Sequence, residues 1–449
     1  MTSSYISVNV EDKVCACYSI SNLCSEEEAR KTFIDKKLVR LVGPMILEAE
    51  AHLVEAALSC LYSLSCQGED TVTHLVQQDV LTPLVTLVHQ FRIPGNVYSK
   101  VQTQMYKVID EAFSLFWNLL EEDSKALEQF NKANVLEKVV EFLSPEVAPN
   151  VQLASLNLLV AACEGNKSAQ EKMRCRVSLV LDMVKREGSL ALVRVTACRL
   201  LVTISPDCQE NLSLVLDCVT NCLKVDTNAL VGSLLSGQSE PKEPEKQFDM
   251  VKNIIKSQVT ALEILTNLAS GDDDDFQDDS DTEFDDDDRS DTMEEGEMVD
   301  MSSEERMFVE AVHHSNLLQH ILARSSALPG EVVERLSSSS QGKEIVKAWE
   351  ELQTDCYLCL SNITDMMTIT QLGGGEAVKT VWLSLCSSLC STSTSLHLLE
   401  SLSCAVRSLT SQLCRPDSGV TLDTVTVTDL EQLVTVYTNN VNIESNNTR

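Results

Sequence analysis

One helical pattern recurs along most of this chain, and it constrains the fold more than any other feature. Each copy has a small residue, a large apolar residue four positions later, and a further apolar residue three positions after that. These positions lie on one face of an α-helix, and the small residue allows a neighbouring helix to approach closely. The copies begin at Ala16, Ala57, Ala112, Ala154, Ala197, Ala261, Cys356 and, less regularly, Leu402.

The spacing of the copies is typical of a repeat protein. Their first residues are 41, 55, 42, 43, 64, 95 and 46 positions apart, and the short intervals match the period of armadillo and HEAT repeats. Short amphipathic segments lie between them, at Lys37–Leu47, Asp79–Phe91 and Asn134–Leu143. One repeat cannot bury its apolar face alone, so the copies must stack. The sequence predicts an all-α fold, an armadillo/HEAT-type α-solenoid (a superhelix of about eight repeats) with a disordered acidic insertion.

The long intervals locate insertions between repeats. Arg92–Gln104 and the Pro-, Glu- and Lys-rich Ser236–Gln247 account for two of them. The longest contains an acidic run, a helical segment at Arg306–Ser326 and an expected loop at Leu336–Lys343. The predicted division is 1–235 for N-terminal armadillo-like repeats, 236–250 for a polar loop, 251–270 for the signature helix of a central repeat, 271–305 for the disordered acidic loop, 306–438 for C-terminal HEAT/armadillo-like repeats and 439–449 for a polar tail.

About half of the negative charge lies in one segment. Of the net charge of −33, Asp272–Asp300 contributes −16, from 17 acidic residues and Arg289. Phosphate contacts need Lys and Arg, so we expect no direct nucleic-acid or membrane binding, and basic proteins are the natural partners. A solvated spacer is the alternative. The loop residues predicted to bind a partner are Asp272, Asp273, Asp274, Asp275, Phe276, Asp278, Asp279, Asp281, Glu283, Phe284, Asp285, Asp286, Asp287 and Asp288.

A second predicted binding surface comes from Asn residues that share one register of the repeat. In armadillo arrays the third helix of each repeat lines a concave groove, where Asn side chains can clamp the backbone of an extended peptide. The alternative is that these residues bond to neighbouring turns. Trp117 could stack on a partner's side chain or pack in the core. The predicted groove residues are Asn22, Asn118, Trp117, Asn267 and Asn362. A general receptor for nuclear localisation signals is not expected, because Glu121 stands where an Asn should follow Trp117.

No arrangement of residues indicates an enzyme, a cofactor site or a metal site. Cys356 and Cys359 form a single CxxC within one apolar helix, without the second ligand pair that zinc needs. The pair His313–His314 lacks acidic or Cys partners at ligand spacing, and Gly373–Gly375 is expected to be a turn. Most of the 17 cysteines fall at apolar helix positions. This indicates a reducing compartment, so we expect the cytoplasm and nucleus.

Several segments, taken in order, resemble the family of HEAT repeat-containing protein 3 and fungal symportin. They are "DVLTPLVTLV", "FWNLL", "QVTALEILTNL" followed at once by the acidic run, and "CYLCLSNITDMMTITQLGGGEAV". The resemblance is collinear from about Asp12 to about Thr438. It implies a non-enzymatic adaptor that carries large-subunit ribosomal proteins five and eleven into the nucleus and chaperones them until they join 5S ribosomal RNA. It also implies that the groove holds a basic cargo segment and that the acidic insertion covers RNA-binding surface of the cargo.

The two ends of the chain depart from this family. The family recruits an import receptor through a basic N-terminal stretch, but here no Lys or Arg precedes Lys13. Family members also continue for several more repeats beyond the polar segment that ends this chain. A truncated isoform or an incomplete gene model would explain both departures. The alternative function is that of a general armadillo scaffold, or of an acidic histone-type chaperone for basic proteins.

Overall fold

The computed structural model describes residues 9–93, 100–205, 209–236, 244–270, 303–391 and 395–419. Its contacts divide the chain into two units, Met1–Asn211 and Leu212–Arg449. The first unit is shorter than the predicted N-terminal block, which extends to residue 235. The predicted acidic loop lies outside the described residues apart from its last three positions, which open a helix at Ser303. The predicted tail, residues 439–449, is also outside them.

The described part of the first unit consists of helices joined by short turns. A 3-10 helix, Gly43–Leu47, follows the third α-helix, and another, Glu141–Leu143, follows the ninth. The α-helices are α1 (Val10–Leu23), α2 (Glu27–Asp35), α3 (Leu38–Val42), α4 (Ala51–Ser65), α5 (Glu69–Gln77), α6 (Leu81–Gln90), α7 (Lys100–Glu122), α8 (Ser124–Lys132), α9 (Val135–Val140), α10 (Pro149–Cys163), α11 (Lys167–Arg174), α12 (Val177–Lys185) and α13 (Ala191–Ile204).

Five of these helices form a row, which we call the first ladder: α1, α4, α7, α10 and α13. Each packs against the next, and short helices pack beside them: α3 beside α4, α5 and α6 beside α7, α9 beside α10, and α11 and α12 beside α13. These five helices carry the first five copies of the sequence pattern. The pattern residues are buried in α4, α7, α10 and α13, as predicted. In α1, Ala16 and Leu23 are exposed, because α1 packs against α4 and no described helix covers its other side.

A left-handed residue recurs at the turn between the first and second helices of a repeat. Lys37, Asn134 and Asn316 have φ values of 55°, 52° and 52° and come directly before the second helix, while Asp79 (φ 66°) lies one position further back. Asn and Asp tolerate this conformation better than other non-glycine residues do. The sequence pattern did not reveal this feature, which is present at four of these turns but not between α11 and α12, where Arg176 has a φ of −119°.

The second unit begins near the start of α14 and contains longer helices. Pro244 lies at the first position of its third helix, where a missing N–H costs nothing, so the predicted polar loop 236–250 is helical from that residue on. The described helices are α14 (Gln209–Leu223), α15 (Thr227–Ser236), α16 (Pro244–Ser270), α17 (Ser303–His314), α18 (Leu317–Arg324), α19 (Gly330–Ser337), α20 (Ser340–Met366), α21 (Gly375–Ser391) and α22 (Leu396–Leu413).

Helices α16, α20 and α22 form a second row, which we call the second ladder. Helix α20 packs against both of the others, and the shorter helices α15, α18, α19 and α21 pack beside them. These three helices carry the last three copies of the sequence pattern, and all their pattern residues are buried except the half-buried Leu268. The second unit is therefore built like the first, from a row of pattern helices with shorter helices packed beside it. Its helices α16 and α20 are longer than any helix of the first ladder.

The expected loop at Leu336–Lys343 was wrong. Helix α19 continues to Ser337 and α20 begins at Ser340. Ser339 caps α20, since its hydroxyl accepts a hydrogen bond from the Gly342 backbone N–H at 3.0 Å. A run of serines was taken as a loop, but one serine in it is the residue type that starts a helix.

A polar side chain three positions before the small residue of the pattern caps the C-terminal end of an earlier helix. The last carbonyls of a helix have no partner within it, and these side chains donate hydrogen bonds to them. The bonds run from Arg194 to the Val184 carbonyl (2.9 Å), from Gln258 to those of Cys222 (3.1 Å) and Val225 (2.9 Å), and from Gln353 to that of Ser325 (2.9 Å). Gln258 is fully buried, so this contact is part of the core.

The fold is an all-α solenoid, as predicted, and its two ladders together contain the eight helices that the pattern located. Over the described residues every regular element is a helix. None of the described helices is both long enough and apolar enough to cross a membrane.

Candidate functional site

The first ladder has a group of carboxylates on its exposed face, which we call the first acidic cluster: Glu55, Asp110 and Glu111. Glu55 comes from α4, and the other two come from α7. Glu55 has 17% of its side chain exposed and lies 3.7 Å from the Lys107 amine. Asp110 accepts a hydrogen bond from the Asn150 amide at 3.1 Å. The cluster thus spans two successive ladder helices, α4 and α7, and is hydrogen-bonded to the next one, α10, through Asn150.

Of the three carboxyls in this cluster, Glu111 has the largest rise in pKa on folding. Burial raises its pKa to about 7, and the charges of Asp110 and Glu55 add to the effect. Burial also raises the pKa of Asp110, which its bond to Asn150 partly offsets. A desolvated carboxyl beside two like charges gains from an approaching cation. The cluster can therefore accept a Lys or Arg side chain.

Aromatic residues flank the first acidic cluster. Tyr18 of α1 and Tyr62 of α4 are close enough to feel its charges. The pKa of Tyr62 rises to about 12, chiefly through burial, with Glu111 and Asp110 among the lesser causes. The pKa of Tyr18 is also raised, by burial and then by Glu55 and Glu111. Aromatic rings beside carboxylates suit the aliphatic and cationic parts of a basic side chain.

A second set of charges lies toward the C-terminal end of α7. The indole N–H of Trp117 donates a hydrogen bond to Glu121, and Arg199 of α13 contacts Glu164 at 3.4 Å. Burial is the main cause that raises the pKa of Glu121, and Glu164 adds to it. Trp117 is half-buried, so it is neither a core residue nor a free platform. The predicted groove residue Trp117 is thus held by the Glu121 that the sequence placed four positions later.

The second ladder has a related group, the second acidic cluster: Glu263 of α16 with Glu351 and Asp355 of α20. Burial raises the pKa of Asp355 to about 7, and Glu263 and Glu351 contribute in that order. Asp355 directly precedes the small pattern residue Cys356, just as Glu111 directly precedes Ala112. The two units therefore have a desolvated carboxyl at the same register of the repeat.

The four predicted groove asparagines divide into two pairs. Asn118 and Asn362 are half-buried, and their amides donate hydrogen bonds to the hydroxyls of Ser65 (3.0 Å) and Ser270 (2.8 Å) at the end of the preceding ladder helix. Asn22 and Asn267 are exposed, and no hydrogen bond of their side chains is described. The first pair follows the alternative prediction, bonding to a neighbouring turn. The second pair remains available to a peptide.

The predicted loop residues, Asp272 to Asp288, lie outside the described residues. The structure gives their two attachment points, the end of α16 at Ser270 and the start of α17 at Ser303. Asn267 and Asn362 are close to the first of these points, since Asn362 bonds to Ser270. The loop therefore departs from the C-terminal end of a ladder helix.

The remaining sequence motifs have structural positions. Cys356 and Cys359 are fully buried, and burial raises the pKa of both thiols, to about 12 for Cys359. His313 and His314 are exposed on α17. Gly373 and Gly374 have φ values of 99° and 89°, which confirms the predicted turn before α21. Across the described ranges, no three His, Cys, Asp or Glu side chains are grouped so that they could hold a metal ion.

Sequence reasoning missed both acidic clusters. It concentrated on the acidic run, where the charges are many, and passed over isolated acids within the helices. A signal was present, because Glu111 and Asp355 each stand directly before the small residue of a repeat. Glu55 and Asp110, two positions before such residues, share a related register.

Comparison with known proteins supports a single family. Residues 306–449 match the family described as "SYO1-like, TPR repeats". HEAT repeat-containing protein 3 of Homo sapiens is 21% identical over 92% of this chain and 72% of its own length. The protein of the same name from Mus musculus is 20% identical over 83% of this chain and 65% of its own length.

Among solved structures, a designed armadillo repeat protein covers 57% of this chain and 96% of its own, with 15% identity and a TM-score of 0.37. The human and mouse relatives and the SYO1-like match agree with the family suggested by the sequence motifs. The resemblance of this chain to the family of HEAT repeat-containing protein 3 and the SYO1-like repeat proteins is therefore confirmed.

Proposed function

We propose that this chain is a non-enzymatic adaptor and chaperone for basic proteins of the large ribosomal subunit, ribosomal proteins five and eleven, on their way to the nucleus. The observation that carries the proposal is the grouping of carboxylates on adjacent helices of each ladder, around Glu111 in the first and Asp355 in the second. Burial and neighbouring like charges disfavour the ionised form of both carboxyls, and a cation that approaches them offsets this effect. The identity of the cargo and the nuclear destination rest on the family resemblance.

The acidic run supports the same proposal by a second route. Its 17 acidic residues between Asp272 and Asp300 give a high density of negative charge beside the end of α16. Such a segment competes with RNA for a basic surface and accelerates encounter with it. A ladder surface that holds a basic segment and a loop that shields a second basic surface together fit a chaperone of RNA-binding proteins.

The test uses the purified full chain with purified ribosomal proteins five and eleven and with core histones. One variant combines Glu55→Gln, Asp110→Asn and Glu111→Gln, a second lacks residues 271–300, and Glu128→Gln on the exposed face of α8 is the matched control. We expect each of the first two to weaken binding of a ribosomal protein by at least about tenfold at low salt, with the control unchanged.

The alternative is a general scaffold or histone-type chaperone for basic proteins. The acidic run favours it, because net charge alone does not distinguish one basic partner from another. Equal affinity for core histones and both ribosomal proteins, with the same loss in both variants, would establish this alternative. Selective binding of the ribosomal proteins in histone excess supports the adaptor.

Nuclear import is a further part of the proposal. We propose the cytoplasm and nucleus as the locations, with an import receptor as an additional partner. Fluorescent full-length chain, introduced into permeabilised cells with and without cargo and receptor, provides the test. Nuclear accumulation that requires cargo or receptor supports the role, and exclusion from the nucleus under all conditions contradicts it.

A further inference from the structure

The first unit contains an apolar cavity outside the first acidic cluster. Its volume is about 730 Å³, and it lies between the turn before α4, the end of α6 and the first turns of α7. Its lining includes the buried side chains of Val54, Leu87, Phe91 and Val108 and the exposed side chains of Val101 and Met105. This volume is large enough for a Phe or Leu side chain with its backbone.

Two of the lining residues are unusually exposed for their type. Val101 is 74% exposed and Met105 is 39% exposed. Helix α7 packs against α4 and α10, and both exposed residues lie in its first two turns. Single exposed apolar residues are normal, but two that line one cavity form an apolar surface whose burial by a partner is favourable.

Charged residues of both signs line the cavity. Glu48 and Glu50 line it directly, as do Gln104 and Lys107. Gln104 donates a hydrogen bond to Glu55, and the amine of Lys107 lies 3.7 Å from the same carboxylate. The cavity therefore adjoins Glu55 of the first acidic cluster, and the carboxylates of Glu48, Glu50 and Glu55 outnumber the amine of Lys107 there.

We propose that this cavity and the first acidic cluster form one docking site for a partner segment with a large apolar side chain followed by Lys or Arg. The apolar side chain fills the cavity against Val101 and Met105, and the cation lies among Glu55, Asp110 and Glu111. This inference rests on the proposed function, a carrier of basic proteins, and specifies the chemistry of the segment it holds. The charge of the rim selects a basic partner over an acidic one.

Distances along α7 set the spacing of the two features. Met105 and Glu111 are six positions apart in the helix, which corresponds to a rise of about 9 Å along the helix axis at roughly 1.5 Å per residue. An extended peptide covers that distance in about three residues. Since the two residues also point about 120° apart around the helix at roughly 3.6 residues per turn, the segment should have its basic residue three or four positions after its apolar residue.

The experiment measures fluorescence anisotropy of a labelled peptide of about twelve residues added to the full chain. The peptide contains one Phe with Lys about three positions later, in a Gly- and Ser-rich background. Matched peptides replace Phe with Ser or Lys with Glu. The protein variant is Val101→Glu, and Leu41→Glu, at an apolar residue that is 62% exposed on α3 away from the cavity, is its control.

We expect the Phe–Lys peptide to bind the wild type, and either replacement in the peptide to weaken binding by at least about tenfold. Val101→Glu should have a similar effect and Leu41→Glu none. Equal binding to the wild type and to Val101→Glu overturns the proposal. Absence of peptide binding to the wild type also overturns it. A dimer of the wild type that Val101→Glu dissociates makes a second copy the occupant.

The same variant separates this inference from the proposed function. If ribosomal proteins five and eleven bind the wild type and Val101→Glu equally, the docking site is wrong and the adaptor function stands. If neither ribosomal protein binds the wild type while the Phe–Lys peptide does, the adaptor function is wrong and the docking site stands for another basic partner.

Discussion

The side-chain amide of Asn118 in α7 donates a hydrogen bond to the hydroxyl of Ser65 at the end of α4, over 3.0 Å. In the second unit Asn362 of α20 makes the equivalent bond to Ser270 of α16, over 2.8 Å. Both bonds join adjacent ladder helices at the same register of the repeat. Asn at this register therefore fastens neighbouring repeats wherever the preceding helix ends in Ser.

These two bonds predict a difference among the four register asparagines. Asn118→Ala and Asn362→Ala should each lower the free energy of unfolding by about 1 kcal/mol, the usual net value of such a hydrogen bond. Asn22→Ala and Asn267→Ala, whose side chains are exposed, are the controls and should change it little. Hydrogen exchange of the ladder helices, followed by mass spectrometry, reports each effect in its own unit. Equal effects in all four variants would contradict this division.

We predict that no side chain is tolerated at Gly342. A Cβ at this residue would lie 1.9 Å from the Leu336 carbonyl oxygen, because α19 ends against the first turn of α20. We expect Gly342→Ala to lower the free energy of unfolding by about 2 kcal/mol, since the backbones must separate. Gly330→Ala is the matched control, because a Cβ there meets nothing within 4 Å. Thermal unfolding of both variants provides the measurement, and a stable Gly342→Ala would show that the two helices are not in this contact.

Lys37 has the left-handed conformation that Asn134 and Asn316 have at equivalent turns. A Lys with φ of 55° is strained, whereas Asn tolerates this region. Lys37→Asn should therefore raise the free energy of unfolding by about 0.5–1 kcal/mol. Lys36→Asn is the control, since Lys36 has an ordinary φ of −77°, and it should give no gain. Urea unfolding compares the two, and a loss of stability in Lys37→Asn would contradict the strain argument.

Whether a feature of this protein could be predicted from the sequence depends on whether it involves one helix or several. The ladder helices were predictable, because Ala57, Leu61 and Leu64 lie on one helix face whatever surrounds them. The partner of Asn118 was not, because it depends on which residue ends the neighbouring helix. Likewise, the raised pKa of Glu111 requires burial and a charge from another helix, Glu55. Features of a single helix were visible in the sequence, and features between helices required the structure.

The raised pKa values of Glu111 and Asp355 predict opposite pH dependences for stability and for partner binding. Each has a folded-state pKa of about 7, well above the ordinary value for a carboxyl. As pH rises toward 7, the unfolded chain loses these protons first, so the free energy of unfolding falls and then levels off above about pH 7. A basic partner binds the ionised form, so its affinity should rise over the same range.

Glu111→Gln and Asp355→Asn test both signs. Each should raise the free energy of unfolding by about 1–2 kcal/mol at pH 8, a value reduced for partial exposure, and change it little near pH 5. The charged groups that act on Glu111 are Asp110 of α7 and Glu55 of α4, and Tyr62 of α4 and Tyr18 of α1 respond to its charge. Glu128→Gln, at an exposed acid of α8, should have no such pH-dependent effect. Because the neutral amide cannot ionise, binding of the Phe–Lys peptide to Glu111→Gln should be weaker at pH 8 and lose most of its rise between pH 6 and pH 8. A profile identical to that of the wild type would place the titrating group elsewhere.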